Sequence, residues 1–412
     1  MRRVAVGLAF LMPLAFWPPS ESPFSTAKEW LLGAWVLTGF VFAAASGMLR
    51  RRKLPLRVVS AVAIWIMALS LSAGLGREVS LQELIRNLLP CGSFLVLLWI
   101  SPKPQKLVLA LILSGTVVAA VALLQFVRLD PFLLLNLTGS LQGSSRMRIF
   151  STLGNPNFVA AFLAAVLPLT IFFRPEGGGD LGKSRTRFLI LAALLQAGAI
   201  AATGSRAPVP GFVACGAWLL LRTTRSWVRF ALPVLAINAI LILLSPARPL
   251  DKTIAGRFHI WKIVCDHIRE IPAYGFGPGA FELHFAQWET EYLRINQPSP
   301  DRSFAGLQDH AHNDFLEFLV DYGIIGVSAF LLLVVLLVPF FHPGGTPAFE
   351  SGIIASVVAL LAIAVVDFPF HRPTELYLFW VLMALLWMPS GDGGTAGQAE
   401  FFKKPEFQRR SK

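Results

Sequence analysis

The chain has 412 residues, of which 55% are hydrophobic and only 15% are charged. A soluble protein carries roughly a quarter of its residues as charges. The deficit, with apolar runs about twenty residues long, excludes a multidomain soluble protein and points to a polytopic membrane protein. The formal net charge of +12 does not signal nucleic acid, because the basic residues sit in short clusters between apolar runs, where they orient a chain against anionic lipid.

Apolar segments recur at 4–17, 30–48, 58–75, 84–100, 106–127, 156–173, 187–203, 208–221, 230–245, 313–340, 351–366 and 376–389. Backbone amides cannot go unpaired in hydrocarbon, so these predict an all-α bundle of about twelve transmembrane spans, an even number that returns the C-terminus to the starting side. Met1-Arg2-Arg3 followed by Val4 to Trp17 has the charge pattern of a signal peptide. No small-x-small cleavage site precedes Pro18-Pro19, so an uncleaved first helix is expected. With the N-terminus cytoplasmic, twenty-one Lys and Arg fall on the inner side. Only seven or eight fall in short outer loops: Lys28, Arg77, Arg128, Arg146, Arg148, Arg206 and Arg372, with Arg86 close to the boundary. That bias sets both termini inside. Residues 1–389 then form one integral membrane domain, the long loop 246–312 lies outside the cytoplasm, and 390–412 is a basic cytoplasmic tail with the composition of a disordered segment.

Smaller features follow in order. Segment 79–90 reads as an interfacial helix leading into the fourth span. Gly177-Gly178-Gly179-Asp180 reads as a flexible inner loop. Cys91, Cys215 and Cys265 form no pair and no metal spacing and read as small packing residues. No internal repeat of fixed period and no nucleotide-binding loop is present, so nothing within the chain supports coupling to ATP.

Four outward stretches carry unusual residues at membrane depth. In Arg146-Met147-Arg148…Gly154-Asn155-Pro156-Asn157, Asn155 or Asn157 can cap the sixth span and Pro156 suits an early helical position. Arg146 and Arg148 have no topological purpose there. In Thr203-Gly204-Ser205-Arg206 the link is too short to carry a charge far from the bilayer, so Arg206 must snorkel, pair or face an aqueous cavity. Between Gly256 and Glu270, Trp261, Val264, Cys265 and Ile268 make one helical stripe, with Lys262, Asp266, Arg269 and Glu270 opposite. The run Tyr274-Gly275-Phe276-Gly277-Pro278-Gly279 then breaks the helix; its glycines suit a tight turn, or bring amides to a phosphate.

The fourth stretch runs from His310-Ala311-His312-Asn313-Asp314 through Glu317 to Gly323 and Gly326. Asn313 or Asp314 starts a helix, and the two glycines permit close approach of a neighbouring helix. Three readings of His312 stay open: an inert helix-cap residue, a metal ligand with His310, Asp309, Asp314 and Glu317, or a general base. A base needs cations nearby to hold an electrophile, and Arg206, Arg257 and Arg148 are candidates. Ionisable residues crowd the outer boundary rather than the middle of several spans, which favours an enzyme over a transporter or flippase of lipid-linked sugars.

At this point the chain resembles the O-antigen ligase family, membrane glycosyltransferases that share a fold with O-antigen polymerases. The family signature His-[Asn/Ser/Gln]-x9-Gly-x2-Gly is matched by His312-Asn313, Gly323 and Gly326. Gly154-Asn155-Pro156-Asn157, Thr203-Gly204-Ser205-Arg206, Arg257 with Trp261, the glycine turn 275–279 and Asp367-Phe368-Pro369-Phe370-His371 follow in family order. One departure stands out: Arg206 is followed by Ala207-Pro208-Val209-Pro210 in place of a Ser-Arg-Gly-Ala-like run, and two prolines reset the start of the eighth helix. The resemblance implies an inverting transfer without metal, cofactor or nucleotide in the bacterial inner membrane, with the active site periplasmic. The donor would be a glycan on undecaprenyl diphosphate, and the acceptor a hydroxyl of lipid A-core, as in lipopolysaccharide biosynthesis. A polymerase would instead extend another repeat unit. It implies His312 as the base and Arg206 and Arg257 on the diphosphate, with Arg146 or Arg148 behind them. Glu317, Asn313, Asn155, Asn157 and His310 would support the site.

Overall fold

The computed structural model describes residues 1–20, 22–134, 149–174, 179–222, 236, 250–296, 306, 308–338 and 348–388. Among them every regular element is helical, as a chain must be whose backbone groups are to be satisfied within hydrocarbon. The longer helices, in order, are α1 (Arg2–Leu11), α2 (Thr26–Ala45), α3 (Leu56–Leu75), α4 (Leu81–Ile100), α5 (Pro104–Phe126), α6 (Pro156–Phe172) and α7 (Gly179–Thr203). They continue with α8 (Pro208–Arg222), α9 (Leu250–Asp266), α10 (Phe281–Ile295), α11 (Asp314–Leu337), α12 (Ala348–Ala364) and α13 (Pro373–Trp387).

Six of them, α2, α3, α4, α5, α7 and α11, are long and apolar enough to cross a membrane, and α6, α8, α12 and α13 are shorter apolar helices. Several such helices make this a multi-pass membrane protein. The first expected span, 4–17, is not among those six: α1 has 10 residues, about 15 Å of helix, half the thickness of the hydrocarbon core. Apart from Ala236, the expected segment 230–245 lies outside the described residues, as does the tail 390–412. Every residue of α13 is buried, and α12 packs on α6, α8 and α13 while α4 lies along both α2 and α13. A helix apolar on all sides belongs inside a bundle, and α13 is this bundle's centre.

Local chemistry sets the helix starts. Ser80 accepts from Glu83 N, Asn155 from Asn157 N, and Asn313 from Phe315 N and Leu316 N, each satisfying an orphan donor of a first turn. Pro208 and Pro210 both fall in the first turn of α8, where a missing N–H costs nothing. Segment 79–90 is not a separate interfacial helix; from Leu81 it forms the first turns of α4, because the Ser80 cap lets the helix run straight into the apolar stretch. Gly179 and Asp180 open α7 rather than a loop. Cys91 and Cys215 are buried as packing residues, whereas Cys265 is exposed. The buried stripe of α9 is Ile260, Ile263 and Val264, packed on Phe281, Phe285 and Trp288 of α10. Ile268 falls beyond the end of α9 and is 46% exposed, so the apolar face is rotated by about one residue from the expected one.

Gly323 also departs from expectation. It does not admit a neighbouring helix; it breaks α11, with φ 65° and ψ −172°. The break receives the loop before α10. Phe276 N donates to Val320 O at 2.9 Å, Gly277 N to Asp321 O at 3.0 Å and Ile325 N to Ala273 O at 3.0 Å. A Cβ on Gly323 would strike the carbonyl of Ala273, and one on Gly275 the carbonyl of Asp321. Gly326 faces the Tyr322 side chain of its own helix, since the break folds that turn back. The glycine amides of 275–279 are likewise engaged, with Gly279 N donating to Asp321 Oδ2 at 2.9 Å, so the turn serves the fold and not a phosphate.

The backbone of Gly323 lies in a region open essentially to glycine alone. Gly323→Ala is expected to destabilise the detergent-solubilised protein by about 1–3 kcal/mol or more, read as a lowered thermal midpoint. An unchanged midpoint would overturn the strain assigned here.

Candidate functional site

The residues at the start of α11 are held by a cluster of buried charges. Asp314, Glu317, Asp367, His371 and Arg372 are all buried, and charges in such surroundings persist only when paired and hydrogen-bonded. His371, in the short link between α12 and α13, is the hub. Its Nδ1 lies 2.6 Å from Asp314 Oδ1 and its Nε2 3.3 Å from Glu317 Oε1. Asp314 also accepts from Phe370 N at 2.9 Å. Two acids one helical turn apart thus grip one imidazole. Burial alone disfavours the charged ring, but Glu317 and Asp314 outweigh it and raise the His371 pKa to about 10, so at neutral pH the ring is an imidazolium.

Glu317 carries this order to the preceding loop. It accepts from Ala311 N at 2.9 Å and pairs with His310 Nδ1 at 2.8 Å. From the other side Trp261 Nε1 donates to Ala311 O at 3.0 Å. Ala311 is clamped through both its backbone groups, and the next residue, His312, is forced to φ 50°, a left-handed conformation that costs a side-chain-bearing residue energy and that clusters at functional sites.

His312 Nδ1 lies 3.7 Å from Asp367 Oδ1, an ion-pair rather than a hydrogen-bond distance. The side chain keeps 30% exposure while Nδ1 itself is buried, which turns the Nε2 edge outward. Asp367 is held 2.7 Å from Arg372 Nη2. Burial would raise its pKa, but Arg372, His312 and Arg257 together hold the carboxyl well below the usual carboxylate range. The chain Arg372–Asp367–His312 therefore fixes a permanent negative charge behind an imidazole whose far nitrogen is open, an arrangement able to take a proton from a hydroxyl.

Of the cations expected near His312, the structure brings Arg257 to the site: it lies one turn before Trp261 on α9 and its charge reaches Asp367. Arg206 sits half-buried in the link between α7 and α8 and does not line the cavity beside His310. Arg146 and Arg148 lie outside the described residues. Asn313 and Asn155 act as helix caps, Asn157 is the donor to Asn155, and Glu317 and His310 support the His312 loop as above. The metal reading needs His310, His312, Asp309, Asp314 and Glu317 to converge, and among the described residues no group of three or more such side chains does so.

The sequence singles out Asp367 and His371 only as part of a motif, with no role assigned, and it places Arg372 and Lys28 among the outer-loop charges. Lys28, counted there with the outer loops, is buried in the first turn of α2, donating to Phe24 O at 2.5 Å and Thr152 O at 3.1 Å. A signal was present: an acid, a histidine, an arginine and a second acid within nine residues, 367–375, between two apolar runs, at a depth where charge is costly unless used.

The His371 charge links stability to pH. A group whose pKa rises from 6.5 to about 10 on folding gives stability that is fully present below 6.5 and is lost as pH climbs through 10. The thermal midpoint of the solubilised protein is therefore expected to fall between pH 7 and pH 10. His371→Gln should flatten that dependence and, at pH 7, cost about 3–5 kcal/mol by leaving two buried acids without their cation. Equal slopes for the two proteins would remove His371 from the account.

A family model described as O-Antigen ligase matches residues 191–331, a stretch that contains Arg206, Arg257, His312, Gly323 and Gly326. No curated protein matches the chain. The family covers O-antigen ligases and polymerases, glycosyltransferase-like enzymes of membranes. Over that stretch, which holds the clamped His312 loop, the chain is similar to the O-antigen ligase family.

Proposed function

We propose that the protein transfers a glycan from undecaprenyl diphosphate to a sugar hydroxyl of lipid A-core on the periplasmic face of the inner membrane, with inversion and without a metal. The observation that carries this reading is the His312–Asp367–Arg372 chain, with Nε2 of His312 outward and the guanidinium of Arg257 within electrostatic reach. The acceptor O–H gives its proton to His312 Nε2 as its oxygen bonds to the anomeric carbon from the face opposite the phosphate. The bond from that carbon to the phosphate oxygen breaks, and its electron pair leaves on the diphosphate. Charge therefore builds on the leaving group, and fixed guanidinium groups in a site poor in water stabilise it most as it develops. Arg257 and Arg206 are assigned to that task. Asp367 holds the imidazole in orientation and stabilises the imidazolium that forms, as buried carboxylates do behind catalytic histidines.

His312→Ala is expected to lower transfer by roughly a hundredfold or more, with protein level and membrane insertion unchanged. Asp367→Asn should lower kcat more than it raises either KM. The readout is the length ladder of surface glycan in a strain lacking the native gene. Loss of all attachment with donor accumulating on the lipid carrier marks a ligase, and attachment of single units marks a polymerase. Retained transfer by His312→Ala would falsify the assignment of the base.

A further inference from the structure

Where α2, α6 and α13 begin, a half-open cavity of about 340 Å³ lies beside His310. Its size is at the lower end of the roughly 300–1,000 Å³ of small-molecule sites. Four cations line its wall, Lys28, Arg86, His371 and Arg372, against one acid, Glu375. Most of the carboxylates that hold these cations stand outside the cavity. Arg86 pairs with Glu29 and Glu83, His371 with Asp314 and Glu317, and Arg372 with Asp367 as well as Glu375. Those pairings fix three cations from behind and leave the wall itself positive.

Lys28 is different. It is 1% exposed, and its ammonium donates to the carbonyls of Phe24 and Thr152 rather than to a carboxylate. An ammonium has three donors, so one is left over. Buried charges persist when they are paired, yet among the described residues Lys28 forms no ion pair; the cavity is where a counter-ion reaches it. A second orphan is on the same wall. Arg372 faces Glu375 and Asp367 through its Nη atoms, but its Nε is buried with no hydrogen-bond partner. Its guanidinium carbon lies 3.9 Å from the centre of the Phe158 ring and 4.3 Å from that of Phe368. A further partner must therefore meet the group along its N–H edge, as oxyanions do. The helix ends add to the field. Both α2 and α13 start here without a side-chain cap, and such a start presents N–H groups and the positive end of the helix dipole.

We infer that this cavity is a phosphate-binding site, whose occupant is held by Lys28 and Arg372 at the starts of α2 and α13. It goes beyond the proposed transfer. The leaving diphosphate is assigned to Arg206 and Arg257, and neither lines the cavity, so this is a second phosphate site. Its phosphate is either carried by the acceptor or free in solution.

Ser22 and Ser25 also line the cavity, and Ser25 makes no side-chain cap to α2, so a glutamate at either position sets a tethered carboxylate among the cations. The full-length protein in phosphatidylcholine nanodiscs is titrated with inorganic phosphate at constant ionic strength. The thermal midpoint of the unaltered protein is expected to rise with phosphate concentration, as binding to the folded state requires. Ser22→Glu and Ser25→Glu should each weaken the apparent phosphate affinity by about tenfold or more; with two positions, one misfolded variant does not decide the matter. Glycan transfer then separates the two sources. A KM rise in the variants confined to the acceptor, and absent once that lipid has been treated with phosphatase, places the phosphate on the acceptor. Unchanged KM values beside a midpoint rise that the variants lose make it the free ion. No midpoint rise, a rise that both variants keep, or a raised donor KM would each overturn the second site. The midpoint readout is the same whichever residue is the base, so failure of this site and failure of the His312 reading are told apart.

Discussion

One buried imidazolium holds the site together. His371 is gripped by Asp314 and Glu317, and through them the link between α12 and α13 is fastened to the first turn of α11. Glu317 passes the constraint to Ala311 and His310, and the clamped backbone then delivers His312 to Asp367. Desolvating so many charges is costly, and a well-packed apolar replacement of such a cluster is often no less stable. What apolar side chains could not supply is direction. A carboxylate accepting from two named donors fixes the rotation of its helix and the path of the neighbouring loop at once.

A second constraint ties the long loop to the bundle. At Gly323 a membrane-length helix gives up its own hydrogen bonding, and the segment 273–277 takes the freed partners. Asp321, just before the break, accepts from Gly279 N and Phe281 N and so caps the entry to α10. Irregular backbone at this depth survives only where protein satisfies it, and here loop and helix satisfy each other. Because α9 and α10 pack as a pair, anchoring α10 also places α9, and with it Trp261 over Ala311 and Arg257 toward Asp367.

These two devices account for the spacing between His312 and Gly323. The histidine needs the first turn of α11 with its acids, and the loop needs a break two turns further on. In between lie Phe318 and Tyr322, which pack with Trp65 of α3 and hold the intervening turns against the bundle. The spacing is thus a helix length set between two anchoring points.

By itself the sequence determined the membrane class, most helix positions and several helix starts, because hydropathy and capping depend on residues within a few places of one another. Asn155, Asn313 and the prolines of α8 do in the structure what their neighbours implied. It also singled out His312, as a titratable group stranded at the edge of an apolar run. Only the tertiary structure decided the rest. Asp367 and His371 take their meaning from partners more than fifty residues earlier, and Lys28 from a carbonyl at Thr152. No local pattern encodes which charge will neutralise which across a bundle, since that is settled by how helices pack. Nor does a glycine declare whether it will admit a helix or, as Gly323 does, end one.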